Sequence, residues 1–109
     1  MTEEEFRKVA LSLPDAIEKS HLGHPDFRVK GGKIFATLGY PDERVAVLIL
    51  TADQQGELMG RYPEMFEPVK GGWGERGSTQ VLLGAAKPEV IELAMRIAWQ
   101  NAAPPKLKQ

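Results

Sequence analysis

Asp26-Phe-Arg-Val-Lys-Gly-Gly-Lys-Ile-Phe-Ala-Thr-Leu38 is the stretch whose reading decides the fold. Phe27 and Val29 alternate with Arg28 and Lys30. After Gly31-Gly32, the residues Ile34, Ala36 and Leu38 alternate with Lys33, Phe35 and Thr37. A period of two marks strands, and a Gly-Gly pair between two such runs marks a tight hairpin, because glycine accepts the positive φ of the primed turns. A two-residue turn pairs Lys30 with Lys33, Val29 with Ile34, Arg28 with Phe35 and Phe27 with Ala36. Directly opposed residues share a face. One face then carries Phe27, Val29, Ile34, Ala36 and Leu38 as core. The other carries Arg28, Lys30, Lys33, Phe35 and Thr37, a basic surface holding one aromatic ring.

Outward from the hairpin, Tyr40-Pro41-Asp42-Glu43 reads as a turn. It leads into Arg44-Val-Ala-Val-Leu-Ile-Leu50, a strand apolar on both faces and so expected to be central. Upstream, Thr2 and Glu5 form a capping box, and Phe6, Val9, Ala10 and Leu13 recur at helical spacing until Pro14, which predicts a helix over 3–12. Glu3, Glu4 and Glu5 suit the dipole of its first turn. Downstream, Thr51 or Asp53 caps a second helix carrying Leu58, Met59 and Tyr62. Met65–Val69 reads as a short edge strand because Pro68 cannot donate to a ladder. A glycine-rich stretch, Lys70-Gly-Gly-Trp-Gly-Glu-Arg-Gly77, precedes a strand at Thr79–Gly84. Pro88 then opens the last helix, whose apolar stripe is Val90, Ile91, Ala94, Ile97, Ala98 and Trp99. The expected architecture is α+β in the order α-β-β-β-α-β-β-α: an antiparallel sheet with the N- and C-terminal helices packed on one face.

The chain has 109 residues and a formal charge of −1, so a single domain over 1–109 is expected, with an ordered core over about 2–103 and a short C-terminal tail. Near-neutral charge argues against strong, indiscriminate nucleic-acid binding. No apolar run is long enough to span a bilayer, the first residues are acidic where a targeting peptide would be basic, and there is no cysteine. A cytoplasmic protein without membrane attachment, as a monomer or weak homodimer, is the expectation.

Gly72-Trp-Gly-Glu-Arg-Gly77 matches the G-x-G-x-x-G dinucleotide pattern, but a strand-like sequence follows where the pattern requires a helix. The stretch therefore reads as a hairpin loop. Trp73 either packs beneath it, the commoner case, or stands exposed beside Lys70 and Arg76 as a binding element. His21, His24 and Asp26 are the only cluster of possible metal ligands, and their spacing on an extended or turning segment does not favour a site. Ser12, Ser20 and Ser78 lack a nucleophile elbow, and Asp42-Glu43 sits in a turn. No catalytic constellation, metal or cofactor is expected, and no enzymatic activity. What remains is the cationic and aromatic set Arg28, Lys30, Lys33, Phe35, Lys70, Trp73 and Arg76, suited to phosphates and bases. Its alternatives are an ordinary solvated strand pair or self-association.

Gly23-His-Pro-Asp-Phe-Arg-Val29, Gly32-Lys-Ile-Phe-Ala-Thr-Leu38 and Pro63-Glu-Met-Phe-Glu-Pro-Val-Lys-Gly-Gly-Trp-Gly74 together resemble the MmcQ/YjbR-like family of small bacterial proteins. Leu11-Ser-Leu-Pro14, Ala98-Trp99 and the terminal Ala-Pro-Pro-Lys extend the likeness over nearly the whole chain. The resemblance implies a frataxin-like (CyaY-like) α+β fold. It also implies a "double wing" likeness to a phage DNA-binding domain, and hence a DNA-binding or regulatory role, with Arg28, Lys30 and Lys33 on the phosphate backbone and Lys70, Trp73 and Arg76 reaching a groove or neighbouring strand. The alternative is a protein-interaction or small-ligand module, with Phe35, Trp73 and the outer side of Arg44–Leu50 lining an apolar cleft.

Overall fold

Alternation along Asp26–Leu38 does build a hairpin, and it lies inside a six-stranded sheet in the computed structural model, which describes residues 1–40 and 42–107 apart from the side chain of His21. Pro41, within the expected turn, and the last two residues of the tail lie outside the described residues. The elements are α1 (Glu3–Leu11), β1 (Ala16–His21), β2 (His24–Val29), β3 (Ile34–Leu38), β4 (Val45–Ile49), α2 (Ala52–Arg61), β5 (Phe66–Pro68), α3 (Gly72–Glu75), β6 (Ser78–Leu82) and α4 (Pro88–Ala102). Short 3₁₀ turns occupy Leu83–Ala85 and Pro105–Leu107. All strand pairings are antiparallel, in the spatial order β1-β2-β3-β4-β6-β5.

The helices begin where their caps dictate. Thr2 with Glu5, and Thr51 with Gln54, each form a reciprocal capping box. Pro88 enters α4 in its first turn, where its missing N–H costs nothing. Phe6 and Ala10 of α1, Leu58 of α2, and Ile91, Ala94, Met95 and Ala98 of α4 are buried in one cluster with Phe27, Leu38, Leu48 and Val81 of the sheet. The helices therefore cover one face, as expected. Trp99 donates its indole N–H to the Pro14 carbonyl at 2.8 Å, tying α4 to the end of α1.

Three features differ from the sequence reading. Ala16–His21 is a strand that no apolar alternation marks in the sequence, and its charged and polar residues fit an edge. It joins β2 through the two-residue turn Leu22-Gly23, both at positive φ (52° and 81°), as a primed turn requires.

The second difference is the Gly31-Gly32 turn, which is one residue longer than expected. Val29 N–H donates to the Lys33 carbonyl at 3.1 Å and Gly32 N–H to the Val29 carbonyl at 2.8 Å, so the loop is Lys30–Gly32 and only Gly31 has positive φ. Arg28 then opposes Ile34 instead of Phe35. A bulge restores Phe27 opposite Ala36, as the reading had it. The extra residue is Phe35, which turns into the core at 0% exposure, while half-buried Ile34 takes its place on the outer face. Burying the larger ring gains more than burying Ile34 would.

The third difference is that the glycine-rich stretch holds one helical turn, α3, where a plain loop was expected.

Candidate nucleic-acid interface

The antiparallel order decides which candidate residues meet. The C-terminal end of β2, the N-terminal end of β3, the C-terminal end of β4 and the N-terminal end of β6 all lie at one end of the sheet. The Lys30–Lys33 connection and the α3 segment therefore project from the same end. At about 4.8 Å per strand, their centres are three spacings, roughly 15 Å, apart. Lys30, Lys33, Lys70, Trp73 and Arg76 are all exposed there. Lys106 joins them, in the 3₁₀ turn that shares a surface hollow with Lys30 and Asp15. Asp15, Asp53 and Glu75 lie at this end too, so the cationic excess is local.

Each half of the end is fixed by hydrogen bonds to backbone carbonyls. Lys30 N–H donates to the Asp15 carbonyl at 2.8 Å and Lys33 N–H to the Ala102 carbonyl at 3.1 Å, which clips the hairpin tip between the start of β1 and the end of α4. A Cβ on Gly32 would collide with that Ala102 carbonyl, so the tip seats only because residue 32 has no side chain. On the other half, the buried amide of Gln55 donates to the carbonyls of Gly74 (3.0 Å) and Ser78 (3.1 Å), holding α3 against β6. Gly74 packs on the Val69 carbonyl with no room for a Cβ, and Gly77, at φ 120°, packs on Leu50 and Thr51 in the same way. These contacts account for two glycines of the G-x-G-x-x-G match without a nucleotide.

Trp73 stands 67% exposed, against the commoner expectation of a buried anchor. The reason is that α3 is a single turn whose inward position is taken by Gly74, so the neighbouring indole points out. The Arg76 guanidinium sits over the indole at 5.1 Å from its centroid and donates to the Gly72 carbonyl at 3.2 Å.

Two expected site residues drop out. Phe35 is core, so it neither stacks on a base nor lines a cleft. Arg28 does lie on the outer face, but its Nε and Nη2 both hold Asp26 Oδ1, at 3.0 and 2.9 Å, which neutralises it locally. Val45 and Val47 on the outer side of β4 are each only 7% exposed, and Trp73 is at the end of the sheet, so the apolar cleft expected from Phe35, Trp73 and Arg44–Leu50 does not assemble. Lys106 is the residue that sequence reasoning missed. Its only signal is that Ala103-Pro104-Pro105 turns the chain back at the end of α4, toward the hairpin tip.

The YjbR family model matches residues 11–101. The chain belongs to the YjbR family. Among solved structures, this YjbR chain is similar to the Deinococcus radiodurans protein DR2400, described as a DUF419 domain, with a TM-score of 0.72 and 18% identity over 92% of this chain and 77% of that one. That likeness shows the fold, an α+β arrangement on a six-stranded antiparallel sheet. No curated protein matches the chain. No helix is long and apolar enough to cross a membrane among the described residues, and none of their His, Asp and Glu side chains gather in threes to hold a metal ion.

Proposed function

We propose that this YjbR-family protein is a non-enzymatic DNA-binding regulatory protein, whose contact surface is one end of the sheet and not the face of the first hairpin. The observation that carries the reading is the convergence of two sequence-distant groups, Lys30 with Lys33 and Lys70 with Trp73 and Arg76, at that end. On this reading, the β2–β3 tip and the β5–α3–β6 connection are the two wings of the double-wing likeness. Their spacing of roughly 15 Å spans about four base-pair steps at ~3.4 Å each, so both wings can meet phosphates of one site. The cations supply affinity and position. Trp73, with one face under Arg76, offers an aromatic surface to an unstacked base or a sugar edge.

The test is fluorescence anisotropy with labelled duplex and single-stranded DNA across a salt series. Four engaged cations give a log–log salt slope of about −3 to −4 on duplex, at ~0.9 per phosphate. Lys30→Ala with Lys33→Ala should lower the slope by about 2, and Arg28→Ala should leave it unchanged. Absence of binding at low salt, or equal loss from Arg28→Ala, overturns the reading.

A further inference from the structure

On the outer face of the sheet, away from the cationic end, the β1–β2 turn and the chain leaving β3 enclose a hollow of about 350 Å³. Ile34, Thr37 and Asp26 line it from the strands, and Leu22, His24 and Tyr40 line it from the rim, with the His24 and Tyr40 rings edge-on at 5.7 Å between centroids. Its size is at the small end of the ~300–1,000 Å³ typical of ligand clefts, and its walls are mainly apolar.

Two observations set the hollow apart from an ordinary surface dip. Asp26 is 1% exposed, and its Oδ2 is buried without a hydrogen-bond partner, while Oδ1 takes both bonds from Arg28. Thr37 on β3 and Lys19 on β1 stand directly opposite Asp26 in the ladders, yet neither bonds Oδ2. Native structures leave few buried carboxylate oxygens unpaired, because removing one from water without a donor is costly. The second observation is Leu22, an 87% exposed leucine at φ 52°, a backbone region that penalises its Cβ. Neither burial nor conformational preference accounts for a leucine at that point of the rim, and strain of this kind concentrates at binding sites.

We propose that this hollow is a small-molecule site, and that it takes an uncharged, mainly apolar ligand carrying one N–H or O–H donor, which bonds Asp26 Oδ2 while its apolar body lies against Ile34, Leu22 and Tyr40. The charge bookkeeping selects the class. Arg28 already balances the carboxylate, so Oδ2 requires a hydrogen and not a second cation, which would sit beside the guanidinium. A neutral donor satisfies the oxygen and loses least on leaving water. The site is independent of the DNA-binding surface, which lies at the end of the sheet.

Indole and 1-methylindole are the probes, titrated into ¹⁵N-labelled protein and followed by amide shifts. They present nearly the same apolar body, but only indole has a donor. Indole should shift the Asp26, Ile34, Thr37 and Tyr40 amides saturably, and 1-methylindole should bind about tenfold more weakly. Asp26→Asn keeps an oxygen for Arg28 and turns an N–H₂ toward the ligand, so the preference should reverse, with quinoline, an acceptor without a donor, binding better than indole. Thr37→Val should leave the preference for indole intact. Equal affinity for indole and 1-methylindole, shifts centred elsewhere, or no shifts at millimolar probe overturn the proposal. So does loss of the preference in Thr37→Val, which would make the Thr37 hydroxyl, and not Asp26 Oδ2, the acceptor of the indole N–H. If Asp26→Asn does not fold, the two-probe comparison on the unaltered protein decides alone.

Discussion

Replacing Leu22 by asparagine should make the protein more stable, although leucine is the more hydrophobic residue. At φ 52° the Leu22 backbone is in the left-handed region, which costs an L-residue about 1–2 kcal/mol. Asparagine relieves most of this because its short amide bonds locally, and Asn followed by Gly is the favoured pair for a primed two-residue turn. The opposing loss is small, since Leu22 is 87% exposed and buries little apolar surface. The net gain is about 1 kcal/mol, equivalent to a rise in Tm of about 4–6 °C for a domain of this size. Calorimetric melts of the two proteins, with Gly23→Ala as a control expected to melt lower because Gly23 sits at φ 81°, make the comparison. An unchanged or lower Tm for Leu22→Asn would refute the assignment of a strained turn. Because Leu22 also lines the rim of the hollow, the same variant should bind indole more weakly, so stability and binding move in opposite directions.

Phe35→Ala should cost about 3–5 kcal/mol in denaturant titrations, as for a buried ring, whereas a loss below ~0.5 kcal/mol would return Phe35 to the surface and refute the bulge. Gly74→Ala drives a Cβ into the Val69 carbonyl and should lower stability by about 2–4 kcal/mol; near-wild-type melting would show that α3 does not seat on that backbone. The Glu5 carboxyl titrates below its ordinary value near 4.5, because the backbone N–H of Thr2 and then the Thr2 hydroxyl favour its charged form. A lowered folded-state value means that the α1 cap is at full strength above the unfolded value and weakens as pH falls through the lowered one. An NMR titration of Glu5 with a midpoint at or above 4.5 would contradict this.

Patterns of period two and 3.6 made the strands of the first hairpin, β4 and the long helices legible, since both periods follow from backbone geometry alone. Thr2, Thr51 and Pro88 placed helix starts because their side chains satisfy, or do without, the same backbone groups wherever they occur. β1 was illegible because an edge strand with Glu18, Lys19 and Ser20 owes its existence to its partner β2, not to its own hydrophobicity. The inward turn of Phe35 was illegible for a related reason. The length of the Lys30–Gly32 loop is set by where Gly32 meets Ala102, seventy residues away, and no local pattern carries that contact. At the candidate interface, the cationic residues could be nominated from composition. That four of them, Lys30, Lys33, Lys70 and Arg76, share one end of the sheet follows from strand order, and that Arg28 is spent on Asp26 follows from side-chain geometry.

The strand order also divides the molecule in time. β1 through β4 are successive hairpins whose pairings close over short loops, whereas β6 must return past α2 and β5 to find β4. Loop-closure entropy makes the first set fast and the second slow. The two groups of the proposed surface therefore belong to different folding units: Lys30 and Lys33 to the early meander, Trp73 and Arg76 to the late-docking β5–α3–β6 segment. Native-state hydrogen exchange should find the β5, α3 and β6 amides opening together, at lower free energy than those of β2 and β3. A partial opening of that kind would separate the two groups of the proposed surface while the meander stays folded, so any binding there would be lost without a ligand.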